Sequence, residues 1–96
     1  MTKRFIVGTT NLSEEEEKQF IKFLASNDVR WWHWLPNFWL LKSSADIIDC
    51  EKIRDAIARR CLVMEVEGDL DWAVIGGKNA KGKDFSDWLK GTWPND

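Results

Sequence analysis

The spacing of apolar and polar residues in the first third of the chain predicts a strand followed by a helix. An apolar, β-branched run over 4–10 is typical of a central strand that is buried on both faces. Ser13 and Glu16 have the spacing of a capping box, and the acidic run 14–17 suits the positive end of a helix dipole. Apolar residues over 20–24 supply one helix face, so we predict a helix over 14–25.

The middle of the chain predicts an aromatic hairpin and a second helix. The segments 29–35 and 38–42 are rich in bulky aromatic residues, which favour strands, and Pro36-Asn37 separates them. Because proline cannot take a positive φ, we expect a hairpin loop slightly wider than two residues. Asp49 is a predicted N-cap for a helix that extends to about residue 60.

The last third of the chain predicts an edge strand and shorter elements. Polar and apolar residues alternate over 62–67, as they do in a half-exposed edge strand. The segment 71–75 predicts an extra strand, 78–83 a glycine-containing linker and 84–89 a short helix. This pattern divides the chain into a domain over 1–77 and a linker with a short C-terminal helix and tail over 78–96.

The order strand, helix, hairpin, helix, strand predicts an α+β fold of the ferredoxin-like βαββαβ type. Right-handed crossovers then place both helices on one face of an antiparallel sheet with strand order 4-1-3-2. The extra C-terminal strand and the short helix are additions to this plan. The other face of the sheet must be covered, made polar or given to a partner.

Composition bears on the choice of partner. The 96 residues include seven Trp, five Phe and no Tyr, which is more apolar surface than one core readily buries. The net charge of −2 argues against nucleic acid as a partner, although sheets of this topology can stack RNA bases on exposed aromatics. The N-terminal apolar run is too short for a signal peptide or a membrane span, which predicts a cytoplasmic protein without membrane contact.

The aromatic hairpin also carries a resemblance to a known family. The segment 31–40, WWHWLPNFWL, resembles the "WWHYL..TWL" signature of SinR-like small bacterial proteins. IRDA at 53–56 and LVMEV at 62–66 are similar to that family's "IRDAL" helix and "LLVIEV" strand, so the resemblance covers 4–76. It implies kinship with the smaller CRISPR adaptation protein and the VapD toxins, which are ferredoxin-like homodimers.

Some members of that wider group are metal-dependent nucleases, and the resemblance ties this activity to an Asp just after the first strand. Here that place reads Gly8-Thr9-Thr10-Asn11, without an acid. The resemblance therefore implies the fold and the homodimer, and it does not transfer a catalytic residue.

Alternation along 29–35 gives the hairpin tryptophans two possible roles. It sends Trp31, His33 and Leu35 to one face and Trp32 and Trp34 to the other. One interpretation is a protein interface, because Trp is enriched among buried interface anchors. The other is an intramolecular core partly covered by Trp88 and Trp93. The predicted interface residues are Trp31, Trp32, Trp34, Trp39 and Trp72.

Candidate chemistry is sparse. His33 is the single histidine and the natural general base, with Asp69 and Asp71 as weak catalytic partners, and the alternative is a buried, hydrogen-bonded His. Glu65, Glu67 and Asp69 could hold a divalent cation, but acids on an edge strand also block aggregation. Cys50 and Cys61 bracket one predicted helix and are too far apart for a disulfide. No cofactor is predicted.

These observations favour a non-catalytic homodimerising scaffold or protein-interaction module, placed in a mobile-element or defence context by the resemblance alone. The alternative is a metal-dependent nuclease of the CRISPR-adaptation or VapD type. A third hypothesis, an inhibitor of another protein, is compatible with the acidic charge.

Overall fold

The computed structural model describes residues 2–44, 47–78, 82, 84 and 86–94. Over these residues the chain is an α+β protein built from one antiparallel sheet and short helices. Its elements, in chain order, are β1 (Lys3–Thr9), α1 (Glu14–Ser26), β2 (Val29–Leu35), β3 (Phe38–Ser43), α2 (Cys50–Ile57), β4 (Cys61–Val66) and α3 (Asp87–Gly91).

The four strands form one sheet in the order β2-β3-β1-β4. β1 pairs with β3 on one side and with β4 on the other, which confirms the prediction of a central first strand. β4 lies at an edge of the sheet, again as predicted. Within the described residues no helix is long and apolar enough to span a membrane.

Local capping sets the bounds of the two longer helices. The Ser13 hydroxyl accepts a hydrogen bond from the Glu16 amide at 3.1 Å, and the Ser13 amide donates to Glu16 Oε1 at 2.8 Å, which confirms the capping box. Asp49 accepts from the Lys52 amide at 2.8 Å and caps α2 as predicted. α2 ends three residues earlier than expected, because Ala58 adopts a left-handed conformation with φ of 55°.

The hairpin between β2 and β3 differs from the prediction of a wider loop. Only Pro36 and Asn37 separate the strands, and Asn37 alone takes the positive φ, at 62°. The irregularity lies instead in β2, where two residues, 33 and 34, face the single residue 39 of β3. This bulge turns Leu35 onto the face of Trp32, which corrects the expectation that it shares a face with Trp31 and His33.

One face of the sheet packs against α1 and α2 around the main hydrophobic core. Trp39 is fully buried there, and its ring meets Phe20 of α1 edge to face with centroids 5.0 Å apart. The buried members of this core are Phe5, Val7, Phe20, Leu24, Val29, Trp39, Leu41, Ile48, Ile53 and Ile57.

The opposite face of the sheet, called the open face below, carries a second and smaller core. Leu89 and Trp93 pack there against Trp32 of β2 and Leu40 of β3. The segment 86–94, called the C-terminal arm, contains α3 near the short helix predicted over 84–89, and it buries Leu89 and Trp93 against the sheet. Trp32 is therefore part of an intramolecular core that the C-terminal residues cover, which is one of the two interpretations of the aromatic hairpin.

The predicted strand over 71–75 does not form. The segment 71–77 has no strand assignment, and each of its residues is exposed. The isolated bridge between Lys78 and Asp84 lies just beyond it. A strand needs a neighbouring strand to satisfy the hydrogen bonds of its backbone, and residues 71–77 pair with none of the four strands. Several of their side chains instead line a cavity over the open face.

Candidate functional site

Two buried cations attach the C-terminal arm to the open face. Arg4 and Lys42 are 3% and 8% exposed, and strand register places them directly opposite each other on β1 and β3. Lys42 Nζ donates to the carbonyl oxygens of Thr92 and Pro94 at 2.6 and 2.8 Å. The Arg4 guanidinium donates to the Gly68 carbonyl, lies 3.5 Å from the Trp93 carbonyl and sits over the Trp93 ring at 5.4 Å.

These contacts explain why two positive charges are tolerated beside each other. Carbonyl oxygens and an aromatic face supply partial negative charge that replaces the lost hydration. The same contacts hold the arm across one end of the open face, where Thr92, Trp93 and Pro94 supply the acceptors. Sequence reasoning missed this pair, because residues 4 and 42 meet only through the β1–β3 register.

An apolar cavity of about 470 Å³ lies next to this attachment. Its floor is the open face, including Ile6, Trp32 and Leu40, and its far wall is the segment 70–75. Of the described residues that line it, Asp71 alone is ionisable and nearly all the others are hydrophobic. A space of this size and character is large enough for a small apolar ligand or for side chains of another chain.

Exposed hydrophobic residues border this cavity on the β4 side. Leu62 and Met64 of β4 are 64% and 51% exposed, and Met64 is opposite Ile6, which lines the cavity. On the far wall of the cavity, Trp72, Val74 and the fully exposed Ile75 add further exposed apolar surface. We call this set the apolar rim: Leu62, Met64, Trp72, Val74 and Ile75.

The five tryptophans predicted as interface residues have separate positions. Trp39 belongs to the main core and Trp32 to the second core, so neither lies on a surface in this structure, which corrects the expectation for both. Trp31 and Trp34 are half-buried on opposite faces of β2. Trp72 remains 40% exposed and belongs to the apolar rim.

His33 is held as part of the packing between α1 and the hairpin. Its Nδ1 lies 2.8 Å from the Phe38 carbonyl oxygen, to which it donates, and its Nε2 lies 3.0 Å from Glu17 Oε2. The ring stacks on Trp39 with centroids 3.7 Å apart. Both nitrogens are therefore engaged, as expected for a structural histidine, and neither is turned towards Asp69 or Asp71 as a hydrogen-bond partner.

The acidic residues proposed for metal binding are not brought together. Among the residues that the structure describes, no group of three or more His, Cys, Asp or Glu side chains could hold a metal ion. Glu65, Glu67, Asp69 and Asp71 are all exposed, and alternation places Glu65 on the face of β4 opposite to Met64. Asp69 instead borders a small cavity beside Arg4 and Trp93.

The two cysteines are separate thiols, as expected. Cys50 and Cys61 are both half-buried and free. Burial raises the pKa of the Cys61 thiol, and the nearby Arg54 opposes this effect only in part. A raised pKa disfavours the reactive thiolate, so Cys61 has the environment of a packing residue and not that of a nucleophile.

Among the described residues the candidate catalytic side chains are not assembled into one centre. Exposed hydrophobic residues, in contrast, surround the cavity. Comparison of the chain with family models, with curated proteins and with solved structures found no match.

Proposed function

We propose that this chain is a non-catalytic homodimerising module whose interface is the apolar rim. The observation that carries the proposal is the concentration of exposed hydrophobic side chains around one cavity. Trp72, Val74 and Ile75 line it together with the exposed Leu35. On β4, Met64 is paired with Ile6 of the cavity floor. A contiguous apolar surface beside an apolar cavity is typical of a protein interface.

A second copy of the chain is the occupant that fits this surface best. β4 lies at an edge of the sheet, so its outer backbone groups adjoin the exposed Leu62 and Met64. Two such edges related by a two-fold axis are antiparallel and self-complementary, which gives a closed dimer without further assembly. In this arrangement the apolar rim of each copy adjoins that of its partner, and Trp72 is the aromatic anchor.

The test is the molar mass of the purified protein in solution, measured by size-exclusion chromatography with light scattering at micromolar concentration. We expect a dimer for the wild type and a monomer for Met64→Glu, because a charge would be buried in the interface. Ile47→Glu is the matched control, since Ile47 is also exposed but lies outside the apolar rim. A monomeric wild type, or equal effects of the two variants, would contradict the proposal.

We also infer that the architecture is ferredoxin-like and that the chain is kin to the SinR-like proteins. Support comes from the element order β1-α1-β2-β3-α2-β4, from the strand order and from the packing of both longer helices on one face. Kinship with the CRISPR adaptation and VapD proteins would place the dimer in a mobile-element or defence context. This part of the proposal rests on the motif at 31–40 and on the segments 53–56 and 62–66.

The nuclease alternative rests on the same resemblance and is tested separately. Single- and double-stranded RNA and DNA are incubated with the protein and with Mg²⁺ or Mn²⁺, and the double variant Asp69→Ala, Asp71→Ala serves as the control. Because the exposed acids do not form a cluster with His33, we expect no cleavage above that control. Metal-dependent cleavage that the double variant abolishes would establish the enzyme instead.

A further inference from the structure

A second cavity, of about 420 Å³, lies at the outer edge of β2, at the other end of the sheet from the apolar rim. Four of the seven tryptophans of the chain line it, and two aspartates of the C-terminal region complete its wall. His33 and Thr92 also contribute. We call the six main residues the tryptophan cage: Trp31, Trp32, Trp34, Trp88, Asp84 and Asp87.

Two parts of the fold build the cage. β2 supplies three tryptophans from its two faces. Trp31 packs on the helix side and Trp32 and Trp34 on the open face, and all three line this cavity at the irregular, bulged edge of the strand. The C-terminal arm supplies Trp88, whose ring lies 5.8 Å from that of Trp93, a buried member of the second core. The cage therefore exists only while the arm is docked on the open face.

The two aspartates carry negative charge that is not neutralised within the described part of the chain. Asp84 Oδ1 accepts hydrogen bonds from the amide and hydroxyl of Ser86, and Asp87 Oδ2 accepts from the Asp84 amide at 3.2 Å. These bonds use one oxygen of each carboxylate and fix the position of both. Among the described residues that line this cavity there is no Lys or Arg.

Indole faces and carboxylates together select for a particular chemistry. The negative face of an aromatic ring attracts a cation, most strongly for Trp, and adjacent carboxylates add a longer-range attraction. An ordinary ammonium ion loses strong hydration when it enters an aromatic site, whereas a methylated ammonium group spreads its charge over apolar methyl groups. A cavity with four indoles and two carboxylates therefore suits a methylated cation better than a neutral molecule, an anion or an unmethylated amine.

We propose that the tryptophan cage binds a quaternary ammonium group, of the kind carried by choline-like small molecules and by trimethylated lysine. The indoles surround the methyl groups, and Asp84 and Asp87 face the charge from the arm side of the cavity. This site is independent of the proposed homodimer, because β2 and β4 form opposite edges of the sheet and, of the described lining residues, the two cavities have Trp32 alone in common.

Binding is measured by the change in tryptophan fluorescence as choline is added at constant ionic strength, with NaCl replacing choline in the reference titration. The neutral carbon isostere of choline, dimethylbutanol, has the same shape without the charge. We expect choline to bind about fivefold to tenfold more tightly than this isostere. The affinities for trimethyllysine and for unmodified lysine are measured in the same way. Comparison of trimethyllysine with choline then shows whether the cage prefers a modified lysine side chain or a free small cation.

Variants locate the site. Trp34→Leu and Asp87→Asn should each weaken choline binding about threefold to tenfold, whereas Trp72→Leu and Asp71→Asn, which lie outside the cage, should leave it unchanged. Asp87 is exposed, so its variant remains informative even if Trp34→Leu fails to fold. Equal binding of choline and its isostere, no binding at all, or equal effects of the cage and control variants would each overturn the proposal.

Discussion

The imidazole of His33 lies flat on the indole of Trp39, with the ring centroids 3.7 Å apart and the planes within 1° of parallel. Trp39 is fully buried below α1, while His33 reaches Glu17 of that helix and the Phe38 carbonyl of its own hairpin. The stack thus joins the bulged hairpin to α1 at the one place where β2 departs from regular pairing. This arrangement makes His33 a structural residue.

Replacing His33 with Phe should keep the ring stack and remove both hydrogen bonds. We expect the free energy of unfolding to fall by about 1–3 kcal/mol, because the Phe38 carbonyl loses a part-buried donor and Glu17 loses its contact with the imidazole. Urea denaturation measures this change. Glu17→Gln is the milder control, since an amide still offers a hydrogen-bond partner to Nε2. A His33→Phe protein as stable as the wild type would contradict the structural role.

Substitutions at Trp32 and Trp72 should have different effects on the free energy of unfolding. Trp32 is 3% exposed and Trp72 is 40% exposed. Trp32→Ala should lower the free energy of unfolding by about 3–5 kcal/mol, because it leaves a cavity between the sheet and the C-terminal arm. Trp72→Ala should lower it by less than about 1 kcal/mol. Thermal melting of both variants checks this order, and a reversed order would show that the arm does not pack on Trp32.

The end of α2 offers a stabilising substitution. Ala58 holds a left-handed backbone conformation, with φ of 55°, that suits glycine better than any residue with a Cβ. Ala58→Gly should therefore raise the free energy of unfolding by about 0.5–1 kcal/mol. Ala56→Gly, inside the same helix, should lower it by about 1 kcal/mol. Urea denaturation of the two variants should give changes of opposite sign.

The α1 capping box predicts a dependence of stability on pH. The pKa of Glu16 lies below its ordinary value of about 4.5, chiefly because the Ser13 amide donates to its carboxylate and further because of Arg59, 2.7 Å away. A carboxyl with a lowered pKa in the folded state stabilises above its unfolded pKa, and this contribution disappears as pH falls through the folded value.

Glu16→Gln should consequently weaken the loss of stability below pH about 4.5, because the amide keeps the capping geometry but does not titrate. Urea denaturation at neutral and acidic pH measures the difference between variant and wild type. Glu14→Gln is a suitable control, since Glu14 is exposed and lies outside the capping box. Parallel pH profiles for Glu16→Gln and the wild type would contradict this assignment.

Much of the secondary structure was predictable from the sequence, since it depends on neighbours along the chain. The capping box of α1, the Asp49 cap of α2, the central β1 and the edge strand β4 follow from local spacing and were confirmed. Predictions that required a distant partner were less successful. The segment 71–75 has a strand-like composition but no strand beside it, and the hairpin loop depends on a bulge that sequence spacing does not reveal.

The sequence by itself determined that the chain has more aromatic surface than one core readily buries, because the count of seven tryptophans does not depend on the fold. Only the tertiary structure decided what each tryptophan packs against. Trp39 is buried under the helices, Trp32 is buried under the C-terminal arm, and Trp72 remains partly exposed to solvent. The physical reason is strand register. It places Arg4 beside Lys42 and so binds the arm to a sheet face that residue spacing alone would leave open.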